Sequence, residues 1–251
     1  RNKERKKQRK KKMTETTEQS LADKAYLRIK QRLSTLDLMP GDRLSEMDLV
    51  NILHISRTPI RQALQRLLHE GLLVLAPKSG WTVAPLDFDK IDQLYDFRTL
   101  IERYALTACC QYVGQQPLID ALEKVWLVTP DQYSTDIQYV SELDEQFHMA
   151  LVSASGNLEM AKVHADITEK IRIVRRLDFT KLDRIEATYQ EHQQILQLIA
   201  QRRVDQALIV LSAHIEISKI ESRKITLDTI YRARREVDKK YVSKVAAHID
   251  L

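Results

Sequence analysis

The sequence predicts a mainly α-helical protein in two parts: a helix-turn-helix unit that ends in a β-hairpin, then an all-α bundle of six or seven helices. Three observations support this. The 251 residues include only 5 Gly and 6 Pro, and these lie between long uninterrupted segments. Apolar residues recur at helical spacing in most segments. The exception is residues 72–83, where two short runs have β-type composition.

The charge is concentrated at the start of the chain. Residues 1–12 hold nine Lys or Arg and one acid, Glu4, whereas the whole chain carries +5, so the remainder is close to −3. We expect residues 1–19 to form a disordered basic arm. Such an arm either gains DNA affinity by counterion release or is a leader without function. We expect domains at 20–86 and 87–251.

Cysteine usage and hydropathy restrict the location of the protein. Cys109 and Cys110 are adjacent and cannot form an ordinary disulfide framework, which favours a reducing compartment. No apolar run approaches the ~18–20 residues that span a bilayer. The chain also lacks the apolar region of a signal peptide. We therefore expect a cytoplasmic protein.

Two helices open the first domain. Ser20 is a predicted N-cap with Asp23 at the capping-box distance, and Ser45 has the same relation to Asp48. Pro40 and Gly41 separate the two helices as a turn. The residues predicted to face inward are Leu21, Ala25, Ile29, Leu33 and Leu36 in the first helix, and Leu49, Ile52 and Leu53 in the second.

The third helix organises the domain. Ser56 is a predicted N-cap whose hydroxyl accepts from a first-turn N–H, Pro59 lies in the first turn and Gly71 ends the helix. The buried face consists of Ile60, Ala63, Leu64, Leu67 and Leu68. The other face has no acid before Glu70 and consists of Arg57, Thr58, Arg61, Gln62, Gln65 and Arg66. Guanidinium and amide donors suit phosphates and purine edges, although an ordinary helix with a solvated basic face has the same pattern.

A β-hairpin follows directly. Residues 72–75 and 81–83 are predicted strands, joined by a turn at 76–80. A hairpin after a recognition helix makes the unit a winged helix-turn-helix. Lys78 and Ser79 at its tip are placed to touch a phosphate or to enter a minor groove.

These residues carry a family resemblance. Pro-Gly-Asp-Arg-Leu-Ser-Glu from Pro40, Ile-Ser-Arg-Thr-Pro-Ile-Arg-Gln-Ala-Leu from Ile55, and Gly-Trp-Thr-Val from Gly80 resemble the winged helix of the GntR family of bacterial transcription regulators. The resemblance implies a homodimer on a short palindrome. It implies operator contacts by Ser56, Arg57, Thr58 and Arg61, to which we add Arg43, Gln62, Lys78, Ser79 and Gly80. One departure is Met47, where family members often have Arg.

Everything beyond the linker at residues 84–87 is helical in pattern. We expect helices at about 88–113, 116–127, 131–154, 157–177, 182–201, 203–222 and 227–247. A helical bundle behind a winged helix is similar to the FadR branch of the family, which carries an effector-binding FCD domain.

Four polar residues occupy apolar stripe positions in this bundle. Asp144 and His148 lie one turn apart on one helix, and His192 and His214 lie on the stripes of two others. Three imidazoles and a carboxylate suit Zn²⁺, or alternatively Ni²⁺, Fe²⁺ or Mn²⁺. The alternative is a set of hydrogen-bonded core residues. The resemblance favours metal, because one subset of FCD domains binds a divalent ion through Asp-x-x-x-His and two later histidines. His164 is not included in the set, because no family motif covers it.

An arginine also lies on an apolar stripe. Arg98 falls among Ile91, Leu94 and Ile101, with Glu102 one turn on. It is either an ion pair with Glu102 or a guanidinium that grips a carboxylate effector, and the resemblance implies the second. We therefore assign effector binding to Arg98, Glu102 and Arg172. Arg172, Arg175 and Arg176 are equally consistent with a solvated face.

The function expected from these features is sequence-specific transcription regulation, most simply repression, by a sensor of a small carboxylate such as a sugar acid. One alternative is a metal-dependent hydrolase or lyase, but the sequence lacks the common catalytic motifs, and helical spacing points Glu145 and Glu191 away from the ligands. The other alternative is a non-specific DNA-binding protein that depends on residues 1–12.

Overall fold

A computed structural model describes residues 20–35, 37–76, 80–178 and 182–226, and the isolated positions 229, 232 and 235. The chain divides into two compact units between Pro85 and Leu86. The mainly α-helical fold class, with an N-terminal winged helix and a C-terminal helical bundle, is confirmed. The arm at 1–19, Lys78 and Ser79 lie outside the described residues, as does most of the helix expected at 227–247.

The first unit is a winged helix-turn-helix. Its elements are α1 (Leu21–Ser34), β1 (Arg43–Leu44), α2 (Glu46–Leu53), α3 (Arg57–His69), β2 (Leu73–Ala76) and β3 (Gly80–Val83). The sheet is antiparallel in the order β1-β3-β2, and Trp81 lies opposite both Leu44 and Leu75. Strand β1 is not among the predicted elements, because a strand of two residues is too short to show an alternating pattern.

The helices of this unit begin largely as expected. Ser20 and Ser45 accept hydrogen bonds from the backbone N–H groups of the third residue on. Ser56 is the N-cap of α3 but makes no side-chain capping bond, which corrects the prediction. The reason is local: Pro59 occupies the third helical position and has no N–H to donate. The core lies between α1 and α3, where Ala25, Ile29, Ile60, Leu64 and Leu67 are fully buried.

The second unit has six helices within its described residues. They are α4 (Phe88–Gln111), α5 (Pro117–Trp126), α6 (Ile137–Ala154), α7 (Leu158–Asp178), α8 (Leu182–Ala200) and α9 (Val204–Arg223). Helix α6 begins six residues later than the 131 expected. Pro130–Gln132 form a separate 3₁₀ turn, and Asp136 caps α6 by accepting from the N–H of Tyr139.

The long helix α4 lies at the centre of the second unit. It packs against α9, α6 and α7, and Trp126, Phe147 and Ile171 are among the largest fully buried side chains. Cys109 and Cys110 are buried and are not joined by a disulfide. Among the described helices, none is long and apolar enough to cross a membrane. The interior also holds many polar side chains, and these form the site described next.

Candidate metal centre and nucleic-acid interface

Four buried donors converge inside the second unit. Asp144 and His148 project from α6, His192 from α8 and His214 from α9, and one ligand atom of each lies within 4.8 Å of the others. The Asp144 Oδ1 atom is 3.4 Å from Nε2 of both His148 and His192, and the two Nε2 atoms of His148 and His214 are 3.1 Å apart. The structure therefore brings together the four residues that the sequence singled out.

The separations of 3.1 Å and 3.4 Å fit the coordination sphere of a divalent ion. Two ligands bound to one tetrahedral Zn²⁺ at about 2.0–2.1 Å lie about 3.3 Å apart. His192 gives a second indication, because neither of its ring nitrogens has a hydrogen-bond partner among the described residues although the ring is fully buried against Phe147. An imidazole buried without a partner is costly, and a metal would satisfy its Nε2 atom.

Glu102 supports one edge of this cluster. Its carboxylate accepts hydrogen bonds from Nδ1 of His148 at 2.6 Å, Nε of Arg98 at 2.5 Å and Nε2 of His164 at 2.9 Å. Burial alone would raise the pKa of Glu102, but the charges of Arg98 and His148 outweigh it and hold the pKa well below the usual range. With its Nδ1–H held in this way, His148 turns Nε2 toward the other donors.

His214 is held in a similar way. Its Nδ1 atom lies 2.5 Å from Glu191 Oε2 and 3.3 Å from Arg184 Nη2. The expectation that Glu191 points elsewhere was wrong, because α8 presents His192 and Glu191 to neighbouring parts of the site. Burial lowers the pKa of His214 to about 4, with the charges of His148 and Arg184 acting in the same direction. The ring is therefore neutral, as a ligand requires, at neutral pH.

A second arginine enters the site from α7. Arg175 is buried and donates to Asp144 Oδ2, so it does not belong to a solvated face. Burial raises the pKa of Asp144, but Arg175 and His148 outweigh this effect and lower it well below the usual range. Burial also lowers the pKa of His192, and the nearby His214 adds to that effect.

The residues expected to bind an effector lie in different surroundings. Arg98 and Glu102 are fully buried and contact each other beside the cluster. Arg172 is only partly buried, and its guanidinium pairs with Glu145 and Glu169.

Besides Glu191, three residues of this site were not assigned from the sequence: His164, Arg175 and Arg184. For His164 the sequence did offer a signal, because the residue lies next to an apolar stripe. The sequence offered no such signal for Arg175 and Arg184, since arginine on a helix is normally exposed.

The candidate DNA-binding residues lie on the first unit. Arg57, Thr58, Arg61 and Gln62 are exposed on α3, and Ser56 is exposed at its start. Arg43 on β1 and Gly80 at the start of β3 are also exposed. The face is thus accessible, as a surface that reads DNA must be.

The structure places an acid against this face, and the sequence did not reveal that contact. Glu46 belongs to α2, yet its carboxylate accepts hydrogen bonds from Nε of Arg57 at 2.6 Å, Nε of Arg61 at 3.0 Å and Nε1 of Trp81 at 3.1 Å. Inspection of α3 alone could not find it, because the residue comes from a neighbouring helix.

Comparison with known proteins decides the family. Residues 21–83 match the family of bacterial regulatory proteins named gntR, and residues 93–217 match the FCD domain. The Nta operon transcriptional regulator of Aminobacter aminovorans is 33% identical over 179 residues, which cover 70% of this chain and 82% of that protein. This chain belongs to the GntR family.

Further relatives agree with this assignment. The HTH-type transcriptional regulator YdhC of Bacillus subtilis is 26% identical over 75% of this chain and 85% of its own. A GntR regulator from Rhodococcus sp. RHA1 has the same fold, with a TM-score of 0.69 at 19% identity over 82% of this chain and 98% of that one. This GntR-family chain is a DNA-binding transcription regulator and not an enzyme.

Proposed function

We propose that this regulator senses a small carboxylate, such as a sugar acid, in its FCD domain with the help of a bound divalent metal, most simply Zn²⁺. The observation that carries the proposal is the convergence of Asp144, His148, His192 and His214 on one buried centre. A structural role for four separate core residues does not account for His192, whose ring nitrogens lack partners among the described residues.

The charges around the cluster favour an anionic effector. Three arginines and four carboxylates are linked to it by hydrogen bonds or ion pairs: Arg98, Arg175, Arg184, Glu102, Asp144, Asp178 and Glu191. A divalent cation adds two positive charges to this buried set. Buried charge is unfavourable without a partner, and a bound carboxylate offsets part of the added positive charge.

Two buried N–H donors are available to hold such a carboxylate. Arg98 Nη2 and Arg175 Nη1 have no hydrogen-bond partner among the described residues although both side chains are almost completely buried. We assign the effector contact to Arg98 and Arg175, since guanidinium groups bind carboxylates by paired hydrogen bonds. Arg172 is omitted because Glu145 and Glu169 already pair with it. When bound, the metal supplies an electrophilic centre to which the carboxylate can add as a further ligand.

We assign operator contacts to the exposed side chains of α3, and we infer a homodimer. A palindromic operator needs two recognition helices about 34–36 Å apart. An exposed apolar stripe on α4 supports association, since Phe97, Leu100 and Tyr104 are each half exposed or more at helical spacing. Replacing Leu100 with Glu is expected to convert the dimer to a monomer in light scattering, whereas Leu158→Glu, at an equally exposed leucine of α7, is not.

The metal assignment is tested by elemental analysis of the purified full chain. We expect a divalent metal in the wild type and its loss in His192→Ala. The control is His54→Ala, which removes an exposed histidine of the first unit. Equal metal content in all three proteins, or none in the wild type, would contradict the assignment.

The effector assignment is tested by thermal shift against a panel of small carboxylates and their uncharged amides. We expect stabilisation by at least one carboxylate, its loss in Arg98→Gln and Arg175→Gln, and its retention in Arg172→Gln. The same carboxylate should change operator affinity, because an effector acts only through different affinities for the DNA-binding and non-binding states. No response to any carboxylate in metal-loaded protein would refute this part of the proposal.

A further inference from the structure

Glu46 occupies an unusual place in a surface that binds DNA. Its side chain is only 8% exposed, yet it lies between two arginines whose side chains are 64% and 59% exposed, Arg57 and Arg61. Those arginines lie one turn apart on α3, where two guanidinium groups repel each other. The Glu46 carboxylate gives one oxygen to each of them, so it compensates both charges at once.

Among the described residues, the Nη atoms of Arg57 and Arg61 make no hydrogen bond. Each arginine contacts Glu46 through Nε, whereas a guanidinium binds the O6 and N7 atoms of guanine with two of its N–H groups. The carboxylate therefore holds the Nε side of each guanidinium and leaves the Nη groups to bind other partners. An arginine fixed in this way loses less rotamer entropy when it binds.

The same carboxylate links the recognition helix to the hairpin. Glu46 Oε1 also accepts from Nε1 of Trp81, which lies in the central strand β3. Hydrogen bonds from Arg57, Trp81 and Arg61 lower the pKa of Glu46 to about 2, so the group stays ionised throughout the physiological range.

We propose that Glu46 is a positioning residue that aims Arg57 and Arg61 at base edges and fixes them relative to the hairpin. This inference rests on the proposed operator contacts of the two arginines. It predicts opposite effects on two kinds of binding. A negative charge near DNA weakens non-specific, phosphate-driven association, whereas orientation of the arginines strengthens recognition of the operator.

The experiment uses the full-length chain and a duplex selected from a randomised library by the wild type. Fluorescence anisotropy measures the Kd for that duplex and for a scrambled one at several salt concentrations. Glu46→Gln is expected to bind the scrambled duplex more tightly and to lose about tenfold in the ratio of the two affinities, the scale of one specific base contact. Glu46→Asp keeps the charge but is too short to reach both arginines, so it should lose discrimination without gaining non-specific affinity.

Asp48→Asn is the matched control, since Asp48 is an exposed acid in the first turn of the same helix. It should strengthen both affinities alike and leave their ratio unchanged. If Glu46→Gln behaves in the same way, Glu46 contributes only its charge and the inference is overturned. It is also overturned if Glu46→Asp discriminates as well as the wild type.

Arg57→Ala separates this inference from the proposal on which it rests. If Arg57→Ala and Arg61→Ala keep full discrimination, the proposed operator contacts are wrong. If they lose it while both Glu46 variants keep it, only the positioning role fails. Trp81→Phe removes the indole donor alone and keeps the core aromatic. It should reduce discrimination less than Glu46→Gln does, and it provides a second measurement should Glu46→Gln unfold.

Discussion

Buried acids hold the functional groups of both units. Glu102 is fully buried and orients His148, whereas Glu46 is nearly buried and holds Arg57 and Arg61. Glu102 and His148 lie on different helices, as do Glu46 and its two arginines. An ionised acid is stable in such a place only because cationic or N–H groups surround it.

Glu102→Gln is expected to weaken metal binding by about 10–100-fold, the usual effect of removing a charged partner behind a ligating histidine. The amide cannot accept as strongly from His148 and Arg98 together. Competition with a chromogenic chelator measures the change. Glu145→Gln removes a neighbouring acid that pairs with Arg172 instead, and an equal loss there would argue against a specific role of Glu102.

The stability of the winged helix should depend on pH through Glu46. Its pKa is about 2 in the folded chain against an ordinary value of 4.5, so the unfolded state binds more protons between these values. The contribution of Glu46 is therefore complete above pH 4.5 and disappears as the pH falls toward 2. Calorimetry should show that the Tm difference between wild type and Glu46→Gln shrinks over this range. A difference that stays constant would contradict the pKa shift.

At the scale of elements, the orientation of helix α3 depends on how its two ends are formed. Its start at Ser56 lacks a side-chain capping bond, because Pro59 removes one of the usual donors. Its end relies on Gly71, which has φ of +75° and allows the chain to turn into β2. The orientation of the proposed DNA-binding face thus depends on backbone geometry as well as on the buried stripe.

Gly71→Ala should destabilise the first unit by about 1 kcal/mol, since an L-residue in the left-handed region pays about that cost. A Cβ added at Gly71 would meet no atom within 4 Å beyond the adjoining residues, so the cost is conformational and not steric. Gly71→Asn should lose less, because asparagine tolerates this region. Urea unfolding measures both variants, and equal stability of Gly71→Ala and wild type would show that the turn relaxes.

At the scale of the whole molecule, charge and function are distributed unevenly along the chain. The basic residues of the segment 1–12 contrast with a remainder close to −3. Sequence-specific contacts are assigned to α3, so the segment should contribute affinity without selectivity.

Deleting residues 1–12 should weaken binding to operator and scrambled duplexes by the same factor. It should also make the salt dependence of log Kd less steep, because fewer counterions are released. Anisotropy titrations over a range of salt concentrations measure both effects. Complete loss of binding would instead support the non-specific alternative, and a selective loss of operator binding would assign sequence reading to the arm.

The sequence predicted much of this architecture, with clear exceptions. The recognition helix, the β2–β3 hairpin and six bundle helices follow from apolar periodicity and from caps such as Ser20 and Ser45, because these signals are local. Strand β1 and the true start of α6 were missed, since two residues show no period and a 3₁₀ turn resembles the first turn of a helix. Asp144, His148, His192 and His214 stood out as polar residues on apolar stripes.

What the sequence determined is what adjacent residues settle among themselves: the winged helix, the helical bundle and the inward placement of the four donors. The tertiary structure decided which groups meet across helices. It placed Glu46 on two arginines of α3, Glu191 on His214 and Arg175 on Asp144. Such contacts join residues 11 to 31 positions apart, and their partners depend on how helices pack, which periodicity along one helix does not specify.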